Sequence, residues 1–524
     1  MSDYRQRTII KVFRKYSHAL GPEALEYLEE ILDAHEIPDE QVEESVDLIA
    51  KEYNKQDDAV MKVSLSVLKR VYEFLQGGTS SGSQIKEDVL DPDGHLWFVN
   101  AFDMPLWHWS PERGTFEKSA ESLTVAGTAH SRVMAVRNRM NIIKQTVLRN
   151  EHFSPSTLPS RDREHLLTLK STKHLLGRAG GRFLLFGMLT HSKEGKLCLE
   201  DEDGTVELDF NPLDQPSEGL FTEGAFALVE GDYTEDGNFE VIAIGHPPCE
   251  NRDTARSIYG HIDFLGQGAT TLVEDAQSAL RIQEELSDLS FFFLSDVWLD
   301  HPETLNGLRK MFDNCIENSF IPKVIVLCGN FTSHGISNGN GRDIQRYQEN
   351  FDALADLIAS YPAITKGTHF LLVPGPLDMA ANSILPRRPL LSSLVSRLKS
   401  KEIAIFREDM MARMLRNLVG VKPDVRNDDL KRYLVQTMLD QSHLCPLTNN
   451  IQPIYPDYDH ALRLYPLPTA VVMADKYESY QITYEGCHVF NPGSFVGGTF
   501  KFSMYTPATR LSEECIIEFD QEDS

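Results

Sequence analysis

Residues 290–300 read SFFFLSDVWLD, residues 324–333 read VIVLCGNFTS and residues 369–378 read HFLLVPGPLD. Each opens with an apolar run, Phe291 to Leu294, Val324 to Leu327 and Phe370 to Val373, that passes directly into a short polar or glycine-containing loop. Continuous apolar runs of this length read as strands buried on both faces, as in a sheet covered by helices. Between them lie helical patterns: Leu305, Leu308, Phe312 and Cys315 behind Pro302, then Ile344, Tyr347, Phe351, Leu354 and Ile358. Strand, helix, strand, helix, strand predicts an α/β sheet, whose ligands gather at the loops after the strands' carboxyl ends.

Those loops carry Ser295-Asp296-Val297-Trp298, Gly329-Asn330-Phe331-Thr332-Ser333 and Pro374-Gly375-Pro376-Leu377-Asp378. Further on, Ala470 to Met473 leads into Ala474-Asp475-Lys476-Tyr477, and Asn491-Pro492-Gly493-Ser494 follows. In order and context the set resembles the signatures of the calcineurin-like metallophosphoesterases, D-x-H, G-D-x-x-D, G-N-H-D/E and G-H-x-H. That resemblance implies an α/β sandwich holding two metal ions. Two divalent cations about 3.5 Å apart repel by roughly 19 kcal/mol at an effective dielectric of about 20, so carboxylates must offset real charge.

The ligands depart from that pattern. Asp296 keeps the first aspartate, but Trp298 stands in a histidine slot, and neutral Asn330 stands where the bridging aspartate belongs. Pro376 replaces a metal-binding asparagine, Leu377 the histidine that protonates the leaving group, and Asp475 and Tyr477 fill the last histidine pair. One or two carboxylates do not hold a dinuclear centre. The expectation is a phosphoesterase framework without catalytic residues, metal or cofactor. Taken singly, Asp296 reads as a strand-end cap or turn residue; the joint loss across four loops carries the inference.

Composition bounds the remainder. At 524 residues the chain is long enough for two to four domains. Its 41% hydrophobic and 25% charged residues are ordinary for globular protein. A net charge of −27 and a pI near 5.0 argue against a generic nucleic-acid or anionic-membrane binder. Seven cysteines without a C-x-x-C pair read as reduced buried thiols. No run approaches the length of a membrane span, so no membrane contact is expected.

Residues 1–76 read as a small all-α module. In its first segment Arg5, Arg7, Lys11, Arg14 and Lys15 interleave with Ile9, Ile10, Val12, Phe13 and Tyr16, a domain helix with a basic outer face rather than a transit peptide. Gly21-Pro22 and Pro38-Asp39 open two further helices, and Val60, Val67, Leu68, Val71 and Leu75 mark a fourth. The glycine-serine run Gly77 to Ser83 breaks all periodicity and predicts a flexible linker over residues 77–94.

Residues 95–270 begin with an aromatic cluster, Trp97, Phe98, Phe102, Trp107 and Trp109. It lacks interleaved Lys or Arg, so packing against the chain's own domains is a better reading than a base-stacking platform. A helix follows over about 131–150. Then Arg182 to Leu189, Leu197 to Glu200, Thr205 to Phe210, Ala225 to Gly231 and Glu240 to Ile244 alternate with acidic-glycine turns, five strands that predict an OB-type β-barrel. Glu200 to Asp203 line one of its turns and would repel a phosphate backbone, which favours protein binding. Residues 271–524 form the α/β domain. Within it the segment Ser396 to Leu444, with Arg413, Arg416, Lys422, Arg426, Lys431 and Arg432, reads as solvated helix faces or a site touching DNA held by a partner.

The P-G-P loop in place of G-N-H resembles the second (B) subunits of eukaryotic replicative DNA polymerases, over about residues 150–520. Those subunits join an inactive phosphoesterase domain to an OB barrel, and one branch carries a helical module in front. The resemblance implies a nuclear, non-catalytic scaffold in DNA replication. The barrel and phosphoesterase-like domain would clasp the zinc-bearing carboxy-terminal domain of the catalytic subunit. The helical module would reach the replicative helicase assembly (GINS), small histone-fold subunits would be further partners, and DNA contact would be mostly indirect. Two readings of other classes stay open: a phosphodiesterase or nuclease using Asp296, Asp378 and Asp475 around one metal, and an autonomous single-strand binder acting through the barrel.

Overall fold

The computed structural model describes residues 2–16, 18–34, 42–54, 63, 65, 67–69, 71–72, 96, 98–153, 168–211, 218–269, 272–336, 341–379, 384–388, 403–421, 423, 429–497 and 500–519. The expected linker over 77–94, and Pro38, Asp39, Val60, Leu75, Trp97, Lys422 and Arg426, lie outside these residues. The chain divides into two compact units, Met1–Val89 and Leu90–Ser524.

In the first unit the apolar stripes of helices Ser2–Lys15, Pro22–Ala34 and Val42–Asn54 meet in one core. Ile9, Val12, Phe13, Leu28, Leu32, Val46, Tyr53, Val67 and Leu68 are its buried members. The basic outer face of the first helix pairs with the third through Lys11–Glu43 at 2.9 Å and Lys15–Asp47 at 3.0 Å. Such exposed pairs contribute little; the apolar stripe holds the unit together.

The second unit contains the five strands expected of a barrel: Arg182–His191, Leu197–Glu200, Thr205–Asp209, Phe226–Tyr233 and Asn238–Gly245. Numbered in chain order, they neighbour one another around the sheet as first, second, third, fifth, fourth, and the fourth pairs back onto the first, closing the ring. The third and fifth are parallel, the other neighbours antiparallel. Alternate residues, Phe183, Leu185, Leu189, Leu199, Val206, Val229, Phe239 and Val241, fill the interior. Gly195 and Gly237 supply the left-handed φ of +80° and +85° that two of the hairpin turns require. In the Glu200–Asp203 turn, Asp201 accepts from Thr172 and from the Asp203 and Gly204 amides. Helix Ala129–Arg149, capped by Thr128 and Ser131, lays Met140, Ile143 and Val147 on the outside of the barrel against Phe186, Phe226 and Leu228.

The aromatic segment packs inward. Trp107, Trp109, Phe116, Tyr259, Phe264 and Tyr465 form one cluster, and the Trp107 indole donates to the Asp263 carbonyl at 3.0 Å. Phe102 sits edge-on to Tyr458 at 4.7 Å.

The remainder is two sheets face to face. The first is ordered His369–Val373, Val324–Cys328, Phe291–Leu294, Lys501–Thr506, Leu511–Ile516; the second Ile403–Ile405, Ala470–Val472, Cys487–Asn491, Tyr480–Tyr484. Phe291, Phe293, Val324 and Val326 face Ala470, Val472 and Phe490 across a shared core, while Phe292, Leu294, Ile325 and Leu327 turn the other way onto helices Pro302–Glu317 and Gly341–Ala359. The far face of the second sheet packs Val471 and Val489 on helices Met410–Arg416 and Leu430–Asp440. One sequence expectation is corrected here. His369–Val373 is half-buried along its whole length rather than buried on both faces, because it is the edge strand of its sheet. Within Ser396 to Leu444 the helix Leu430–Asp440 is wedged between barrel and sheet: Leu430, Leu434 and Met438 are core residues, while Arg416 and Arg432 are exposed.

Candidate functional site

In both sheets the parallel strands run in one direction, so their carboxyl ends open along one rim. There the backbone is tightly folded. Asp296, after the Phe291–Leu294 strand, has φ +53°, and Ala474, after Ala470–Val472, has φ +41°. A non-glycine residue in the left-handed region costs of order 1–3 kcal/mol, and such positions cluster at functional sites. Neighbouring loops approach closely: a Cβ on Gly375 would lie 2.7 Å from the Asn330 amide nitrogen, and one on Gly329 would collide with the Asp378 carboxylate. Glycine alone fits both positions.

This rim brings together Asp296, Asn330, Asp378 and Asp475. Asp296 is buried, and its Oδ1 accepts from Asn330 Nδ2 at 3.1 Å and from Arg407 Nη2 at 2.6 Å. Asn330 is a strut: besides donating to Asp296, its Oδ1 accepts from the Leu377 amide at 2.9 Å, joining the second loop to the third. Asp378 turns to the backbone, accepting from the Phe331 amide on Oδ1 and the Gly375 amide on Oδ2, both at 2.7 Å. Asp475 does likewise, with Met411 at 2.8 Å and Tyr477 at 2.9 Å. Burial pushes both Asp378 and Asp475 up to about 6, against the pull of those amides.

The other singled-out residues offer no ligand atoms toward these carboxylates. Trp298 is half-buried beside the His301 ring at 5.4 Å, and its Nε1 makes no hydrogen bond among the described residues. Leu377 is 38% exposed, and Pro376 lies beside it on the same turn. Tyr477 uses its backbone, its carbonyl accepting from Asn491 Nδ2 at 3.0 Å, while its ring lies under Lys431. Among the described residues no group of three or more His, Cys, Asp or Glu side chains is arranged to hold a metal ion.

Sequence reasoning missed the residue at the centre. Arg407, 2% exposed, follows the strand Ile403–Ile405, and the Phe406 amide donates to the Val472 carbonyl at 2.8 Å, fixing where the next side chain emerges. Its guanidinium binds Asp296 Oδ1, Asp409 Oδ1 at 2.9 Å and the Gly329 carbonyl. Burial disfavours the cation, but Asp296 and Asp409 outweigh it and hold the guanidinium charged more firmly than usual. Burial likewise pushes Asp409 up, and Arg407 with Lys476 more than reverses this, so its carboxyl stays below the usual range. Beside it, buried Glu408 binds Arg387 and, at 2.7 Å, Arg413. The signal was present: the apolar run Ile403 to Phe406 passes straight into Arg407-Glu408-Asp409, the same strand-to-loop pattern as the other four loops.

Two family descriptions match parts of the chain: the OB-fold domain of DNA polymerase epsilon subunit 2-like proteins over residues 129–248, and the second (B) subunit of DNA polymerases alpha and epsilon over residues 291–482. DNA polymerase epsilon subunit 2 of Homo sapiens is 34% identical, covering 97% of this chain and 98% of that protein. The chain belongs to the DNA polymerase epsilon subunit 2 family. Its counterpart from Bos taurus is 33% identical over the same shares, and the corresponding DNA polymerase epsilon subunit of Arabidopsis thaliana is 29% identical, again covering 97% and 98%. Likeness at both ends of each protein means the family relation spans the first unit as well as the barrel and paired sheets of the second. It makes the barrel an OB fold and sets the chain among the subunits of a replicative DNA polymerase.

Proposed function

We propose that this chain is the non-catalytic accessory subunit of DNA polymerase epsilon and acts in the nucleus as a scaffold. Its paired sheets are a phosphoesterase-like sandwich that has lost its chemistry. The observation that carries this reading is the rim itself, where Asp296 is tied to Arg407 and the carboxylates of Asp378 and Asp475 are committed to backbone amides. The positions that a dinuclear centre would draw on, Trp298, Asn330, Pro376, Leu377 and Tyr477, present an indole, an amide, a proline, an aliphatic chain and a phenol. That is not a donor set for two divalent ions.

In this role the OB barrel and sandwich together hold the zinc-bearing carboxy-terminal domain of the catalytic subunit. Residues 1–76, on the linker 77–94, reach the helicase assembly (GINS), with residues 95–270 and 271–524 forming the body. Histone-fold subunits join the same complex, and contact with DNA is mostly indirect, in keeping with a net charge of −27. The helix Leu430–Asp440, packed between barrel and sheets, supports reading the two as one body.

Affinity isolation of the full chain from proliferating cells tests the proposal and is expected to recover a large polymerase subunit; its absence would count against the role. Manganese-dependent hydrolysis of a model phosphodiester that Asp296→Ala abolishes would favour a single-metal hydrolase instead. Tight, salt-sensitive oligonucleotide binding by the isolated chain would favour a single-strand binder.

A further inference from the structure

The calcineurin-like resemblance implies two metal ions at the rim, and the residues there do not fit them. They fit a different cation, one the chain supplies. Oxygens from three loops converge on the Arg407 guanidinium: Asp296 Oδ1 after one strand, the Gly329 carbonyl after the next, and Asp409 Oδ1 on Arg407's own loop after Ile403–Ile405. Three acceptors gripped by one planar fork suit arginine; the single ammonium of lysine lacks that fixed geometry. Lys476 adds a second positive group 3.5 Å from Asp409, so the charge of these two carboxylates is already met. A divalent ion entering here would face fixed positive charge. It would also have to pull Asp378 or Asp475 away from the amides they hold.

We propose that Arg407 has taken over the electrostatic and cross-linking work of the metal ions, closing the rim to divalent cations and pinning its loops. Removing the guanidinium then leaves a pocket of hard oxygen donors, Asp296, Asp409 and the Gly329 carbonyl, suited to a cation such as Mn2+. This inference rests on the phosphoesterase-like reading of the paired sheets.

The experiment is a titration of the full-length chain with Mn2+, followed by electron paramagnetic resonance of the free ion and by thermal melting. The wild-type chain is expected to bind none beyond a chelator-treated control, and its melting to be indifferent to EDTA. Arg407→Gly is expected to melt lower, to take up about one Mn2+ per chain, and to be restabilised by it. Added guanidinium ion, below denaturing concentration, is expected to displace that Mn2+. Asp296→Asn in the same background is expected to abolish uptake. Mn2+ bound by the wild-type chain would overturn both this inference and the reading beneath it. A folded Arg407→Gly chain, with unchanged circular dichroism, that binds no more Mn2+ than wild type overturns this inference alone. If that variant does not fold, refolding is attempted with Mn2+ or guanidinium ion; recovery with either supports the inference, and recovery with neither overturns it.

Discussion

The Gln441 side chain pairs with the Phe226 backbone as one peptide group pairs with another: Phe226 N–H donates to Oε1 at 2.7 Å and Nε2 donates to the Phe226 carbonyl at 2.8 Å. A side chain just past helix Leu430–Asp440 thus caps the start of a barrel strand. The same Nε2 donates to His246 Nδ1 at 3.1 Å, and that ring stacks on Phe221 at 4.2 Å. Burial holds His246 down at about 3, so it stays a neutral acceptor throughout the physiological range. Gln441→Ala would strand two buried backbone groups. Each costs about 1–3 kcal/mol when unpaired, and equilibrium denaturation is expected to register that loss.

Buried Asp440 lies one residue away, its Oδ1 accepting from the Cys249 amide and the Tyr484 hydroxyl, each at 3.2 Å. Burial pushes it up to about 7 from 3.8. A carboxyl whose folded pKa is raised favours the folded state most below the unfolded pKa, and this contribution is lost as pH rises toward the folded value. Comparing wild type with Asp440→Asn should therefore reveal a wild-type-specific decline between about pH 4 and 7, with a limiting slope of about 1.4 kcal/mol per pH unit. A difference between the two chains that is flat across that window would refute the assignment.

Gly231 sits where the fourth and fifth barrel strands shift register, and a Cβ there would collide with the Glu240 carbonyl and lie 2.6 Å from the Phe239 ring. Neither neighbour has room to move, since Phe239 is fully buried inside the barrel. Gly231→Ala is expected to destabilise by about 1–3 kcal/mol, the usual penalty of overpacking. Gly195→Ala would meet no atom within 4 Å and would suffer only from its φ of +80°. Melting temperatures of the two variants should rank accordingly.

Phe116 is the centre of the aromatic cluster, with Trp109 at 5.2 Å, Phe264 at 5.0 Å and Tyr259 at 5.2 Å. Phe116→Ala should cost about 3–5 kcal/mol and shift tryptophan emission to the red as Trp109 gains water. An unchanged spectrum would mean that the ring is not packed as described.

The barrel was readable because its information is local: period-two alternation and acidic-glycine turns lie within a few residues of the hydrogen bonds they specify. The helix Ala129–Arg149 was readable for the same reason. His369–Val373 was harder, since an edge strand and a central one share an apolar composition and differ only in what later chain segments cover. Arg407 was harder still. The strand-to-loop pattern marks the loop that holds it, but its partners, 111 residues away at Asp296 and 78 at Gly329, are brought to it only by the fold.

The seam between barrel and helix has a consequence for synthesis. The barrel strands are contiguous and finish at Gly245, yet the atoms that cap Phe226 and hold Leu220 belong to Gln441 and Thr437, separated from them by 215 and 217 residues. At about 5–20 residues per second on the ribosome, the barrel waits roughly 10–40 s with that flank bare. Stalling the ribosome before Leu430 is therefore expected to leave the Leu220 and Phe226 backbone groups without these partners, open to solvent exchange.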